Sequence, residues 1–227
     1  MAKGKVGQRM EAFYNKFREL IETESKNEAI EFALALIDKH RVTIVEFYEE
    51  ILARTMNSIE CHNDEKNLCV WREHVRSGIA RTIIESLYSR VLAERSKNHS
   101  TPPDKKVAVI CPDGEYHDMG ARIVSDYFTL LNWDVVFVGN STPKDEFIRV
   151  AEHLNLNAIA ISVTNPYNLV SAKKTIDMMR EKCDENLKIF VGGYGFTKVD
   201  DIKKDFNVDG YVSSFNELKN LLEGGEY

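Results

Sequence analysis

Proline is missing from the first 101 residues; all five prolines fall at Pro102 or later. Nothing in that stretch therefore interrupts a helix ladder. Basic side chains are also in short supply, with 30 Lys and Arg against 36 Asp and Glu and a formal net charge of −6. That balance argues against direct nucleic-acid binding, which needs a clustered basic face. No apolar run approaches the roughly 20 residues of a membrane span. The polar start, Met1 to Arg9, does not read as a signal peptide. The four cysteines, Cys61, Cys69, Cys111 and Cys183, are irregularly spaced and mostly set in apolar patterns. They read as reduced core thiols of a cytoplasmic protein. What is present, 43% hydrophobic residues over 227 positions, gives room for two modest domains.

Residues 1–95 read as a helical bundle. Met10, Phe13, Tyr14, Phe17, Leu20 and Ile21 recur at helical spacing, as do Ala29, Ile30, Phe32, Ala33, Leu36 and Ile37. A third helix starts at Thr43, with Glu46 three residues on in a capping-box pattern. It carries Ile44, Phe47, Tyr48, Ile51 and Leu52. A long fourth helix over 66–94 sets Leu68, Trp71, Val75, Ile79, Ile83, Leu87 and Val91 on one face. Four such amphipathic helices make a four-helix bundle. The polar, proline-bearing stretch 96–104 reads as a linker.

From 105 to 227 the period changes. Short apolar runs at Val107–Cys111, Trp133–Val138, Ala158–Val163, Ile189–Val191 and Tyr211–Val212 alternate with helical patterns at 119–131, 144–154, 169–182, 199–205 and 215–222. Alternation of this kind predicts a Rossmann-like five-stranded parallel sheet flanked by helices, so the fold class is α + α/β. Ligands of such sheets bind outside the carboxyl ends of the strands.

Three chemistry-bearing pieces fall at that edge. Glu115-Tyr116-His117-Asp118-Met119-Gly120 follows the first strand. Forty-one residues separate Gly120 from Ser162-Val163-Thr164, and twenty-seven separate Thr164 from Gly192-Gly193. The ordered set of acid-x-His-x-x-Gly, Ser-x-Thr and Gly-Gly resembles the signature of cobalamin-binding domains, over residues 104–222. By that resemblance His117 is the lower axial ligand to cobalt. A ligating imidazole usually passes its other N–H to a carboxylate, and Glu115 is placed to take it. Asp118 is expected to be turned away by the helix that comes next. Ser162 and Thr164 offer hydroxyls to a buried nucleotide base, Gly192 and Gly193 allow the nucleotide tail close approach, and Gly120 opens the flanking helix.

Finer features resemble the sensor and photoreceptor branch of these domains: Glu115 in place of Asp, Gly120-Ala121-Arg122, Trp133-Asp134-Val135, Thr142-Pro143 and Asn168-Leu169. The helical half resembles the cap over the upper face of the corrin in that branch. Glu73-His74 matches the cap's Glu-His pair. The cap's Trp would fall at Asn63 and its light-state His ligand at Asp64, so both are missing. His62 or His74 is then the candidate upper ligand, and Trp71 a further upper-face candidate whose spacing also suits a core position.

The resemblance implies a non-enzymatic cobalamin sensor, with adenosylcobalamin as cofactor, a homo-oligomeric state and a separate regulatory partner. The alternative is a corrinoid methyl carrier using methylcobalamin beside a methyltransferase partner. Two other readings fail. Cys61, His62, Cys69 and His74 fit no common zinc spacing. Cys111-Pro112-Asp113-Gly114-Glu115 lacks the glycine-rich turn of a dinucleotide site.

Overall fold

The structure is a computed structural model that describes residues 2–58 and 66–224. It divides into two compact units, Met1–Arg90 and Val91–Tyr227.

In the first unit α1 (Ala2–Glu22) and α2 (Lys26–Asp38) precede a helical segment that changes pitch twice. It opens as α3 (Ile44–Glu46), widens to a π-helix over Phe47–Ala53, and closes as α4 (Arg54–Ser58). The expected capping box starts it: Thr43 Oγ1 accepts the Glu46 N–H at 3.1 Å, and Glu46 Oε2 accepts the Thr43 N–H at 2.8 Å. Phe17 of α1 meets Phe47 edge-on at 5.4 Å, and both are fully buried. Ile51, Leu52 and, from α5 (Lys66–Asn98), Ile79, Ile83 and Leu87 complete the core.

Helix α5 extends to Asn98, past the residue 94 end that periodicity suggests. Its apolar face is only partly covered. Trp71 is 58% exposed and Leu68 51% exposed, so Trp71 is not the core residue its spacing allows. Cys69 departs from expectation as well: it is disulfide-bonded, while Cys111 and Cys183 form no disulfide. Cys69 is only half-buried, between exposed Leu68 and Val70, so its run is apolar without being core.

The second unit is a five-stranded parallel sheet of order β2-β1-β3-β4-β5, formed by β1 (Lys106–Pro112), β2 (Asp134–Thr142), β3 (Ala158–Ser162), β4 (Lys188–Gly192) and β5 (Gly210–Val212). Helices α6 (Met119–Leu130), α7 (Lys144–Leu154), α8 (Leu169–Lys182), α9 (Ile202–Phe206) and α10 (Phe215–Glu223) connect and flank it. Side chains alternate across a strand. Ala108, Ile110, Ile159, Ile161, Ile189 and Val191 accordingly share one core with Ala172, Ile176 and Met179 of α8. Phe190 points to the other face, where it meets Phe128 of α6 at 6.2 Å. β1 is paired on both sides, by β2 and β3, and buried from Val107 onward, so the loop that leaves its carboxyl end is held on a rigid base.

At the opposite, amino edge, Asp209 ties three elements together. Its carboxylate accepts the Ile189 N–H at 2.8 Å and Arg180 Nη2 at 2.6 Å, and Lys188 lies 3.5 Å away. Burial pushes the Asp209 carboxyl up, but the Ile189 N–H and the Arg180 and Lys188 charges outweigh it and hold it below the ordinary value.

Candidate functional site

The loop after β1 is a tight turn, closed by the Glu115 N–H donating to Pro112 O at 2.9 Å, with Gly114 at φ +83°. It drives the Glu115 side chain inward. Glu115 has no exposed surface, yet it carries a carboxylate. A buried charge of that kind persists only if its oxygens are satisfied.

They are. Oε1 accepts the His117 backbone N–H at 3.0 Å and sits 2.6 Å from His117 Nδ1. Oε2 accepts the backbone N–H of Thr164 at 3.0 Å and of Asn165 at 2.9 Å, and the Asn168 side-chain amide at 3.0 Å. Burial pushes the Glu115 carboxyl up, but the bonds from Asn168, Asn165 and His117 prevail and keep it below the ordinary carboxylate range.

His117 is the reverse case. Its side chain is 55% exposed while its Nδ1 is engaged with the carboxylate. In the neutral ring, an acceptor on Nδ1 places the proton there and leaves Nε2 as a bare lone pair. The result is a single outward imidazole donor on a buried anionic base. Among the described residues no group of three or more His, Cys, Asp or Glu could hold a metal ion. One imidazole suits a metal whose other ligands come with it in a macrocycle, and does not suit a bare ion, which needs several protein ligands.

Asp118 lies at the start of α6, 3% exposed, and its Oδ2 binds Arg122 Nε at 3.2 Å and Nη2 at 3.1 Å. It faces Arg122 as its helical position implies, and Arg122 in turn lies over the Phe137 ring at 4.6 Å. The neighbouring Cys111 thiol is pushed up to about 12, by burial first and then by the Asp118 and Glu115 charges, so it is no nucleophile.

Gly120, Ser162, Gly192 and Gly193 come together at the carboxyl edge. Ser162 pairs with Gly192 across β3 and β4. A Cβ on Gly120 would lie 3.6 Å from Ser162 Oγ, so the first turn of α6 sits directly beside that hydroxyl. A Cβ on Gly192 would meet Val212 O at 2.5 Å, and one on Gly193, at φ +97°, would meet Val163 O at 2.4 Å. Neither position accepts a side chain. Thr164 joins the site through its backbone N–H, whereas its residue type alone points to the hydroxyl.

In the first unit Glu73 and His74 are exposed on α5, as is Trp71. Cys61, His62, Asn63 and Asp64 lie outside the described residues.

Two participants, Asn165 and Ser141, do not stand out in the sequence, and Asn168, which does as part of Asn168-Leu169, is not marked there as a partner of Glu115. Asn168 comes six residues after Ser162, and that fixed offset is the signal by which it could be found.

A family model described as B12 binding domain matches residues 105–213. The glutamate mutase sigma subunit of Treponema denticola is 30% identical over 102 residues, which cover 42% of this chain and 70% of that protein. The chain belongs to the B12-binding-domain family. Dimethylamine corrinoid protein 1 of Methanosarcina mazei is 29% identical over 126 residues, 53% of this B12-binding chain and 58% of that protein. The match therefore spans less than two thirds of that relative's length. In fold, the Methanosarcina barkeri monomethylamine corrinoid protein superposes with a TM-score of 0.77 at 16% identity, covering 95% of this chain and 99% of its own. No helix among the described residues is long and apolar enough to cross a membrane.

Proposed function

We propose that this chain is a corrinoid protein that carries a methyl group for a separate methyltransferase, holding cobalamin base-off with His117 as its lower ligand. The observation that carries the binding mode is the Glu115–His117 pair: a buried carboxylate 2.6 Å from Nδ1 fixes the tautomer that presents Nε2. Ser162 and the Gly192-Gly193 backbone then receive the displaced nucleotide tail. When bound, cobalamin supplies a cobalt centre able to accept and release a methyl group. The chain's own work is to bind, orient and tune, with catalysis left to the partner.

The dimethylamine corrinoid proteins among its relatives favour the carrier over the light sensor. So does Asn63 at the position where the photoreceptor cap has Trp. On this reading methylcobalamin replaces adenosylcobalamin as the working cofactor. Glu115 and Gly120-Ala121-Arg122, which resemble the sensor branch, keep that second reading alive.

The test uses the purified protein loaded with cobalamin. His117→Ala is expected to abolish the His-on absorption spectrum; an unchanged spectrum would sink the ligand assignment. The loaded protein, its cobalt first reduced to Co(I) by a titanium(III) reductant, is then incubated with a methylamine donor and its methyltransferase, and donor loss is followed. In parallel the adenosylcobalamin form is illuminated with green light and run on size exclusion. Methyl uptake without a light-dependent change of size supports the carrier. A light-dependent change of size without methyl uptake overturns it in favour of the sensor.

A further inference from the structure

The turn that carries His117 is braced from both neighbouring strands. On the β2 side, the Ser141 N–H donates to Glu115 O at 2.9 Å, and Ser141 Oγ accepts the Gly114 N–H at 3.3 Å. Ser141 holds φ at +46°, a region that non-glycine residues rarely occupy. It stands where the β1–β2 register shifts twice, between Val109 and Ile110 and again before Pro112. Strained backbone of this kind persists where surrounding bonds over-determine it.

On the β3 side, one amide makes two bonds. Asn168 Nδ2 donates to Glu115 Oε2 at 3.0 Å and to Gly114 O at 3.3 Å. Asn168 ends a short 3₁₀ helix, Pro166–Asn168, that is itself fixed by Asn165 Oδ1 accepting the Tyr167 N–H at 3.1 Å. The Gly114–Glu115 peptide region is thus held at Gly114 N, Gly114 O, Glu115 O and both carboxylate oxygens. With Oε2 filled by three donors, Oε1 is left to His117 alone, and the carboxylate plane has one orientation.

We propose that the His117 turn is set in its ligating geometry before any cofactor arrives, and that Asn168 and Ser141 are the positioning residues that set it. This deepens the lower-ligand reading of His117 and rests on it for its meaning. A pre-set turn removes an ordering cost from binding. Neither residue touches the cofactor in this scheme; each acts through Glu115 and Gly114.

The experiment begins with the cofactor-free protein, labelled with ¹⁵N-histidine. Long-range proton–nitrogen NMR should show His117 as one tautomer, Nδ1 protonated and Nε2 bare, with a downfield Nδ1 proton. Asn168→Ala and Ser141→Ala should move the two ring nitrogens toward averaged shifts. Affinity for cobalamin should fall about 10–100-fold for Asn168→Ala, the usual range for a lost partner of a metal ligand, and less for Ser141→Ala. An averaged ring in the cofactor-free parent overturns the proposal. So does a parent-like ring in both variants. Should Asn168→Ala not fold, the parent spectrum and Ser141→Ala still decide. A fixed ring in a protein that binds no cobalamin refutes the proposed function and leaves the pre-set turn standing.

Discussion

Replacing Glu115 by Gln changes one oxygen into an NH₂ and removes a buried charge. Five N–H donors converge on the native carboxylate: His117 N and Nδ1 on Oε1, and Thr164 N, Asn165 N and Asn168 Nδ2 on Oε2. Gln can satisfy only one side. If its NH₂ faces the β3–α8 loop, three donors lose their acceptor. If it faces His117, the ring must flip its proton to Nε2 so that Nδ1 can accept, and His117 N is still orphaned. The second arrangement costs less, because one orphan is cheaper than three. A buried donor left unpaired costs about 1–3 kcal/mol, and hydrogen bonds to a charged group contribute about 1.5–3 kcal/mol each. Glu115→Gln should therefore lower the stability of the cofactor-free protein by about 2–5 kcal/mol in urea unfolding. It should also convert His117 to the Nε2–H tautomer, whose outward Nε2 has no lone pair to offer a metal and whose Nδ1 lone pair is taken by the Gln amide. Retained stability, within about 0.5 kcal/mol, together with an unflipped ring would refute the account of Glu115 as a fully donated carboxylate.

Gly193→Ala places a Cβ 2.4 Å from Val163 O at φ +97°, and should cost on the order of 3 kcal/mol through strain and clash, read as a shifted urea midpoint; a stable variant with normal cobalamin affinity would show that the β4 turn relaxes. Asp209 is held below its ordinary value, so its contribution is present above about pH 4 and is lost as pH falls through the lower folded value. Asp209→Asn should flatten the acid limb of the stability profile, and an unchanged limb would refute the assignment. Trp71→Ala should alter the stability of the cofactor-free protein by no more than about 0.5 kcal/mol, the usual range for surface positions, since Trp71 is 58% exposed; a larger loss in thermal or urea unfolding would restore it to the core.

Much of the second unit is readable from sequence because its signals are local. A buried parallel strand is a short apolar run, and Val107–Cys111 and Ala158–Val163 lie within a residue or so of β1 and β3. Glu115, His117 and the glycine pair are legible for the same reason: each is a residue type with a fixed job at a strand end. What is not legible depends on pairs distant in sequence. Asn168 stands out only as half of the Asn168-Leu169 pair, and its role appears once a carboxylate 53 positions earlier folds beneath it. Ser141 lies beyond the apolar run Trp133–Val138, and nothing in its residue type announces a positive φ within β2. The π-helical pitch of Phe47–Ala53 leaves the apolar spacing of Phe47, Tyr48, Ile51 and Leu52 compatible with an α-helix, so periodicity hides it. Trp71 fails differently. Helical spacing reports a face, and whether anything covers that face is a tertiary fact.

The identity of residue 115 as Glu, one of the features that resemble the sensor branch, acquires a physical meaning from its partners. The carboxylate must reach two places at once: the His117 ring, two residues on, and the three donors of the β3–α8 loop. Shortening the side chain by one methylene withdraws the carboxylate by about 1.5 Å, a single carbon–carbon bond. Contacts now at 2.6–3.0 Å would then stretch past hydrogen-bonding distance on one side or the other, unless the turn moves. The β3–α8 side has two backbone donors that sit directly after a paired strand, whereas His117 stands on a turn with an exposed ring. Glu115→Asp should therefore keep the Thr164 and Asn165 bonds and loosen His117. The expected signature is an averaged His117 ring in the cofactor-free protein, weaker cobalamin binding, and a stability loss smaller than that of Glu115→Gln. An Asp variant with a fixed ring would mean that the turn moves inward with the carboxylate, and that the bracing by Ser141 is weaker than its bonds to Gly114 and Glu115 imply.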